Sequence, residues 1–224
     1  MPRPAVFLDR DGTIVSERDY LRSVSEMRLL PGAALAIRQL NRAGFAVVIA
    51  TNQSGVARGL LSESDLEHIH RVLRERLGRR GAKLDGIYYC PHHPAAALRR
   101  YRRRCRCRKP SPGLLLRAAR ELGLDLARSF AVGDSARDLA AGRRAGCRTV
   151  LVRTGYGRET EETLGRSPYG RALGEPAAGP GSPADCPAKQ LRFAGAGSWD
   201  HTADDLPAAV DWILNCARAR CQRP

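Results

Sequence analysis

The 224-residue chain has almost no lysine, few aromatic rings and no long apolar run. Only Lys83, Lys109 and Lys189 among its 38 basic residues are lysines, so arginine carries the net charge of +15. Six Tyr, four Phe and two Trp leave little material for a base-stacking platform. No stretch approaches the roughly 20 apolar residues of a membrane-spanning helix. Seven cysteines, an odd number, argue against a disulfide framework and for thiols in a reducing compartment. An apolar strand follows within a few residues of Met1, without space for a signal peptide, so a cytoplasmic location is expected.

Hydrophobic residues make up 43% of the chain, which excludes full disorder. One domain of about 150–200 residues plus a tail is expected. The charge attracts polyanions but says nothing about fold. A basic, zinc-stabilised nucleic-acid-binding module stands as an alternative of another class. No recognition helix or aromatic platform supports it, so nucleic acid is disfavoured as a partner.

The chain is organised around Phe7-Leu8-Asp9-Arg10-Asp11-Gly12-Thr13-Ile14-Val15. Ala5–Leu8 reads as a buried strand. Residues two apart on a strand share a face, so Asp9 and Asp11 can address one site while Arg10 points elsewhere. Two neighbouring anions call for a cation or a proton between them. Asp-Gly is also a common hairpin signal, so this fragment needs its context.

That context is an alternation of strand and helix. A helical stripe carries Leu35, Ile37 and Leu40, and Phe45–Ala50 is an apolar strand ending at Thr51-Asn52-Gln53-Ser54. Ser62 and Asp65 form a capping pair before a stripe of Leu66, Ile69, Leu73 and Leu77. Further strands are read at residues 87–89, 130–132 and 149–152, with helices between them. The pattern predicts an α/β fold: a doubly wound, Rossmann-like, mainly parallel sheet with helices on both faces. Sites in such sheets lie beyond the carboxyl ends of the strands. Asp9, Asp11, Thr51 and Asp134 all fall at such ends.

A second constellation is Cys90-Pro91-His92-His93, followed by Cys105-Arg106-Cys107. Three thiolates and an imidazole make a tetrahedral zinc set, and four protein ligands make a closed, structural site. A run of bare arginines surrounds it. Arg99–Arg104 reads as a solvated face, whereas Arg108 and Lys109 follow the last thiol directly.

Asp9-Arg10-Asp11-Gly12-Thr13, Thr51-Asn52, Lys109 and Gly133-Asp134 with Asp138, in that order, resemble the four motifs of the haloacid-dehalogenase-like phosphatase superfamily. Thr51–Gly59, Tyr88–Pro94 and the zinc loop narrow the likeness to the D-glycero-D-manno-heptose-1,7-bisphosphate 7-phosphatase family, which is related to zinc-bearing histidinol-phosphate phosphatases. The resemblance implies a magnesium-dependent phosphoric monoester hydrolase of a small sugar phosphate, on the route to nucleotide-activated heptose. Histidinol phosphate is the alternative substrate.

By the same resemblance Asp9 is the nucleophile and Asp11 the general acid and base. Thr51 and Lys109 hold the phosphoryl group. Magnesium is held by the Asp9 carboxylate, the Asp11 backbone carbonyl and the Asp134 carboxylate. His92 is favoured over His93 as the fourth zinc ligand. Glu17, Tyr20, Asn52, Gln53, Ser54, Arg58 and Arg108 contact substrate. A monomer without a large cap domain is implied.

The expected division is a phosphatase core over residues 1–156, with its zinc loop at 90–107. A Gly/Pro-rich insertion follows at 157–200, and then a C-terminal helix over 201–224 that packs on the core. Two departures stand out. Ser135 occupies a position where some relatives carry a lysine near phosphate, and the 157–200 stretch lengthens a region that is short in the family.

Overall fold

Parallel strands need a crossover between them, most often a helix, and this chain supplies one after nearly every strand. The computed structural model describes residues 2–165 and 199–221. The elements are β1 (Arg3–Leu8), α1 (Ala33–Arg42), β2 (Ala46–Asn52), α2 (Ser54–Ala57), α3 (Glu63–Gly78), β3 (Gly86–Cys90), a 3₁₀ turn at Arg99–Tyr101, α4 (Gly113–Leu122), β4 (Leu124–Gly133), α5 (Ala136–Arg144), β5 (Arg148–Val152), α6 (Gly157–Gly165), β6 (His201–Ala203) and α7 (Leu206–Cys221). Every strand pair is parallel, in the order β3-β2-β1-β4-β5-β6.

The sheet is covered on both faces, which is why its inner strands read as continuous apolar runs. Val6, Leu8, Val47 and Ile49 face a core built with Ile37, Leu40, Leu73, Val210 and Ile213. Their alternates Ala5, Phe7, Ala46 and Val48 face Leu114, Leu115, Ala118 and Ala141. Chain order reverses between β1 and β4: β2 and β3 lie on one side, β5 and β6 on the other. A crevice opens above the carboxyl ends at such a switch point.

Three boundaries differ from the sequence reading. Strand β4 begins at Leu124, six residues before the expected start, and pairs with Arg3 and Pro4 before a register shift. Ser129, which interrupts the apolar run, accepts a hydrogen bond from the Ala5 N–H at 2.8 Å and so belongs to the sheet. Residues 157–165, expected to open an irregular insertion, form α6. Glu161 on that helix accepts two hydrogen bonds from Arg153, at 2.7 and 2.9 Å. The C-terminal segment does not start as a helix: His201–Ala203 first pairs with β5. Three residues are too few to show a period. The rest of the Gly/Pro-rich stretch, 166–198, lies outside the described residues.

Candidate active site

Asp9 follows β1 directly, and its N–H donates to the Val132 carbonyl of β4 at 3.0 Å, which locks the site loop to the switch point. Gly12 then turns the chain with a φ of 73°. A Cβ at Gly12 or at Gly155 would run into the Asp134 carboxylate, so only glycine allows that approach. Asp134 stands at the end of β4. Its Oδ2 accepts from the Tyr156 N–H at 2.9 Å, and its carbonyl accepts from Thr160 Oγ1 at 2.9 Å.

Lys109 comes from the loop between Cys107 and α4. Its ammonium donates to Asp9 Oδ1 at 2.8 Å, to the Ala50 carbonyl at 2.6 Å and to Asp138 Oδ1 at 2.6 Å. Those three bonds satisfy all three of its hydrogens. Asp138 also closes the capping box of α5, where Oδ2 accepts from the Ser135 N–H at 3.0 Å and from Ser135 Oγ at 2.6 Å. One carboxylate thus caps a helix and pins a lysine. Ser135 is fully engaged here and brings no charge to the site.

Arg10 was expected to point away from Asp11; the structure reverses this. Its guanidinium, 1% exposed, curls back to grip Asp11 with Nε to Oδ1 at 3.0 Å and Nη2 to Oδ2 at 2.8 Å. A long flexible stem overrides strand alternation. Nη2 also donates to Gln53 Oε1 at 2.9 Å. Nη1 lies 3.3 Å from His70 Nε2, so that nitrogen accepts and His70 stays neutral. Burial first, and then the Arg10 charge, push the His70 pKa down to about 3.

The proposed substrate contacts separate into two groups. Glu17, Tyr20, Ser54 and Arg108 line one cavity with Asp9, Asp11, Thr51, Lys109 and Asp134; its volume is about 280 Å³. Asn52 and Gln53 also reach the wall, but protein groups occupy their amides. Asn52 exchanges two bonds with the Lys109 backbone, at 3.1 and 3.0 Å. Gln53 Nε2 donates to Asp11 Oδ2 and Thr51 Oγ1, both at 2.9 Å. Arg58 is not on the cavity wall; its guanidinium lies over the Tyr20 ring, 5.6 Å from the centroid.

The acid cluster is short of positive charge. Burial, and then Asp138 and Asp9, raise the Asp134 pKa to about 8. Burial raises Asp9 to about 6, with Lys109 opposing and Asp138 and Asp11 adding. Burial followed by Asp11 and Asp9 raises Glu17 to about 7. Oxygens of Asp9, Asp134 and Asp138 lie within 4.8 Å of one another. Lys109 and Ser135 already occupy Asp138, so Asp9 and Asp134 are the carboxylates left for a hard, oxygen-loving cation.

The four ligand atoms of Cys90, His92, Cys105 and Cys107 also lie within 4.8 Å of one another. Their sulfurs are 3.2–3.5 Å apart, and His92 Nδ1 is 3.4 Å from Cys107 Sγ. Tetrahedral bonds of about 2.3 Å would space sulfurs by roughly 3.8 Å, so the cluster fits zinc with a small expansion. Glu63, which opens α3, accepts from Tyr89 Oη at 2.7 Å and Tyr101 Oη at 2.6 Å, bracing both sides of this loop.

Comparison with known proteins follows the same lines. Residues 106–170 match the HAD-hydrolase-like family model. The chain is 46% identical over 159 residues to a D-glycero-β-D-manno-heptose-1,7-bisphosphate 7-phosphatase of Photorhabdus laumondii, covering 70% of this chain and 85% of that one. To the enzyme of the same name from Escherichia coli K12 it is 46% identical over 153 residues, covering 68% and 80%. A solved D,D-heptose 1,7-bisphosphate phosphatase of B. bronchiseptica, complexed with magnesium and phosphate, superposes with a TM-score of 0.72. Its identity is 35%, and the match covers 95% of this chain and 98% of that one.

Proposed function

The chain belongs to the D-glycero-β-D-manno-heptose-1,7-bisphosphate 7-phosphatase family of HAD-like hydrolases, and on that premise we propose how its residues remove the 7-phosphate of a heptose 1,7-bisphosphate. The observation that carries the reading is the convergence of Asp9, Asp11, Thr51, Lys109 and Asp134 on one cavity at the switch point.

An Asp9 carboxylate oxygen attacks phosphorus and forms an aspartyl-phosphate as the bond to the C7 oxygen breaks. Asp11 gives that oxygen a proton, and then takes one from the water that attacks the same phosphorus. Inorganic phosphate leaves and Asp9 is regenerated. Thr51 donates to a phosphoryl oxygen, and Lys109, whose three hydrogens are held by Asp9, Asp138 and the Ala50 carbonyl, acts on the developing charge through its own positive charge. Arg10 and Gln53 hold the Asp11 carboxylate in place, while Asn52 holds the backbone of Lys109. The carboxylates of Asp9 and Asp134, with the Asp11 backbone carbonyl, would hold magnesium, which neutralises phosphoryl charge when bound.

Zinc on Cys90, His92, Cys105 and Cys107 braces the loop that delivers Arg108 and Lys109. Free thiols there suit the reducing cytoplasm, and no helix among the described residues is long and apolar enough to cross a membrane.

Arg108 favours a bisphosphate over histidinol phosphate. It lines the cavity and donates to the His92 carbonyl at 3.1 Å, with no carboxylate partner among the described residues. A second phosphate complements that charge, whereas the cationic end of histidinol phosphate opposes it. Comparing kcat/KM on D-glycero-β-D-manno-heptose 1,7-bisphosphate and on histidinol phosphate tests this reading. The bisphosphate is expected to be preferred by at least about 100-fold, in line with a site built around a polar group; preference for histidinol phosphate would overturn it.

A further inference from the structure

The cavity holds four cationic side chains and six acids, and the pairing between them is uneven. Arg10 is bound to Asp11, and Lys109 to Asp9 and Asp138. The other two cations on the wall, Arg108 and Arg137, have no carboxylate partner among the described residues. Arg137 lies in the first turn of α5, between Ala136 and the capping acid Asp138. A cation there opposes the helix dipole, which favours acids at that end, so helix stability does not account for it. Burial lowers the pKa of Arg108, and the charge of Arg137 acts in the same direction. Two like charges without carboxylate partners therefore line the same cavity, close enough for one to act on the other. Ser135, two residues closer to Asp134, supplies no charge, and its hydroxyl is engaged by Asp138.

We propose that Arg137 is a specificity-determining residue that forms, with Arg108, a two-guanidinium clamp for the phosphate of the substrate that does not react. Each guanidinium presents a planar fork of donors that matches a phosphate edge. Both guanidiniums line the cavity, while the reacting phosphate meets Asp9. A phosphate between the two guanidiniums relieves their repulsion, an interaction that a monophosphate cannot make. This inference rests on the sugar-bisphosphate reading above.

The test compares kcat/KM on D-glycero-β-D-manno-heptose 1,7-bisphosphate with kcat/KM on p-nitrophenyl phosphate, which has no second phosphate. Arg137 is exposed, so Arg137→Gln leaves the core untouched. It is expected to lower the ratio of the two values by about tenfold or more, through KM on the bisphosphate, as loss of a charge-assisted contact does. Arg137→Lys should recover part of the loss. Arg120→Gln removes an exposed charge on α4 away from the cavity and should move the ratio less than about twofold, as a screened distant charge does. An Arg137→Gln ratio within twofold of the unsubstituted protein, or an equal drop in Arg120→Gln, would overturn the clamp alone. If the unsubstituted protein hydrolyses p-nitrophenyl phosphate but not the bisphosphate, the substrate reading fails and the clamp falls with it.

Discussion

Lys109 Nζ donates to Asp9 Oδ1 across 2.8 Å, joining residues 100 positions apart in the chain. The same ammonium meets Asp138 at 2.6 Å, so one cation orients the nucleophile and neutralises a buried capping acid. Replacing Lys109 by Ala leaves both carboxylates without their partner. The expected cost is about 3–5 kcal/mol of stability, typical for breaking a buried pair. It comes with a kcat loss of roughly 10²–10³, the scale of lost electrostatic stabilisation of developing charge. Urea unfolding and steady-state kinetics read the two effects separately; a stable variant with near-normal kcat would contradict the assignment.

Arg10 sets the position of Asp11 without lining up for substrate itself. Arg10→Met keeps the stem volume and removes the fork that holds both carboxylate oxygens. The expected result is a kcat decrease of about 10²-fold, the scale of general acid–base catalysis, with KM changed much less. A normal kcat would reduce Arg10 to a packing residue.

Magnesium should stabilise the fold more strongly as pH rises. Folded Asp134 and Asp9 hold protons more tightly than unfolded carboxyls, with pKa values raised from 3.8 to about 8 and about 6. Without metal, their contribution to stability is greatest below pH 4 and is lost as pH rises towards 8. Magnesium reverses that loss because it binds the carboxylate form. The rise in Tm on adding magnesium is therefore expected to be larger at pH 8 than at pH 6; equal increments would contradict it. His70 works in the opposite sense. Lowered to about 3 from 6.5, it contributes fully above pH 6.5 and its contribution is lost as pH falls towards 3.

The Cys90–His92–Cys105–Cys107 cluster predicts one tightly bound zinc per chain. Cys105→Ala should lose zinc and lower Tm by far more than Asp9→Asn, because structural zinc contributes folding free energy. A metal held through His92 Nδ1 would leave a hydrogen on Nε2, so the present 2.6 Å contact of Arg103 Nη2 with that nitrogen would be lost. Equal melting temperatures in the two variants, with zinc retained in both, would remove the site.

Most of the sheet was legible because its inner strands are continuous apolar runs ending in polar residues. That rule located Asp9, Thr51 and Asp134 at one edge. The grouping of Cys90, His92, Cys105 and Cys107 was legible from ligand types crowded into one loop. What escaped depended on long side chains and distant partners. The return of Arg10 to Asp11 is invisible to strand alternation. No local pattern tells that Lys109, Asp11 and Thr51 take up the amides of Asn52 and Gln53, two residues that also line the cavity. The loop after β5 also went unread. Thr154 Oγ1 donates to the Gly12 carbonyl at 2.5 Å, and the Tyr156 N–H holds Asp134. Its only local signal was the glycine-rich Thr154-Gly155-Tyr156-Gly157 that follows a strand.

Phosphorus NMR of D-glycero-β-D-manno-heptose 1,7-bisphosphate, incubated with the unsubstituted protein and with Asp9→Asn, follows each phosphate separately. With magnesium and the unsubstituted protein, the 7-phosphate resonance is expected to disappear, inorganic phosphate to appear in equal amount and the 1-phosphate resonance to persist. Asp9→Asn should show none of this while keeping its fold and zinc. Loss of the 1-phosphate instead, or equal turnover by Asp9→Asn, would contradict the proposed reaction.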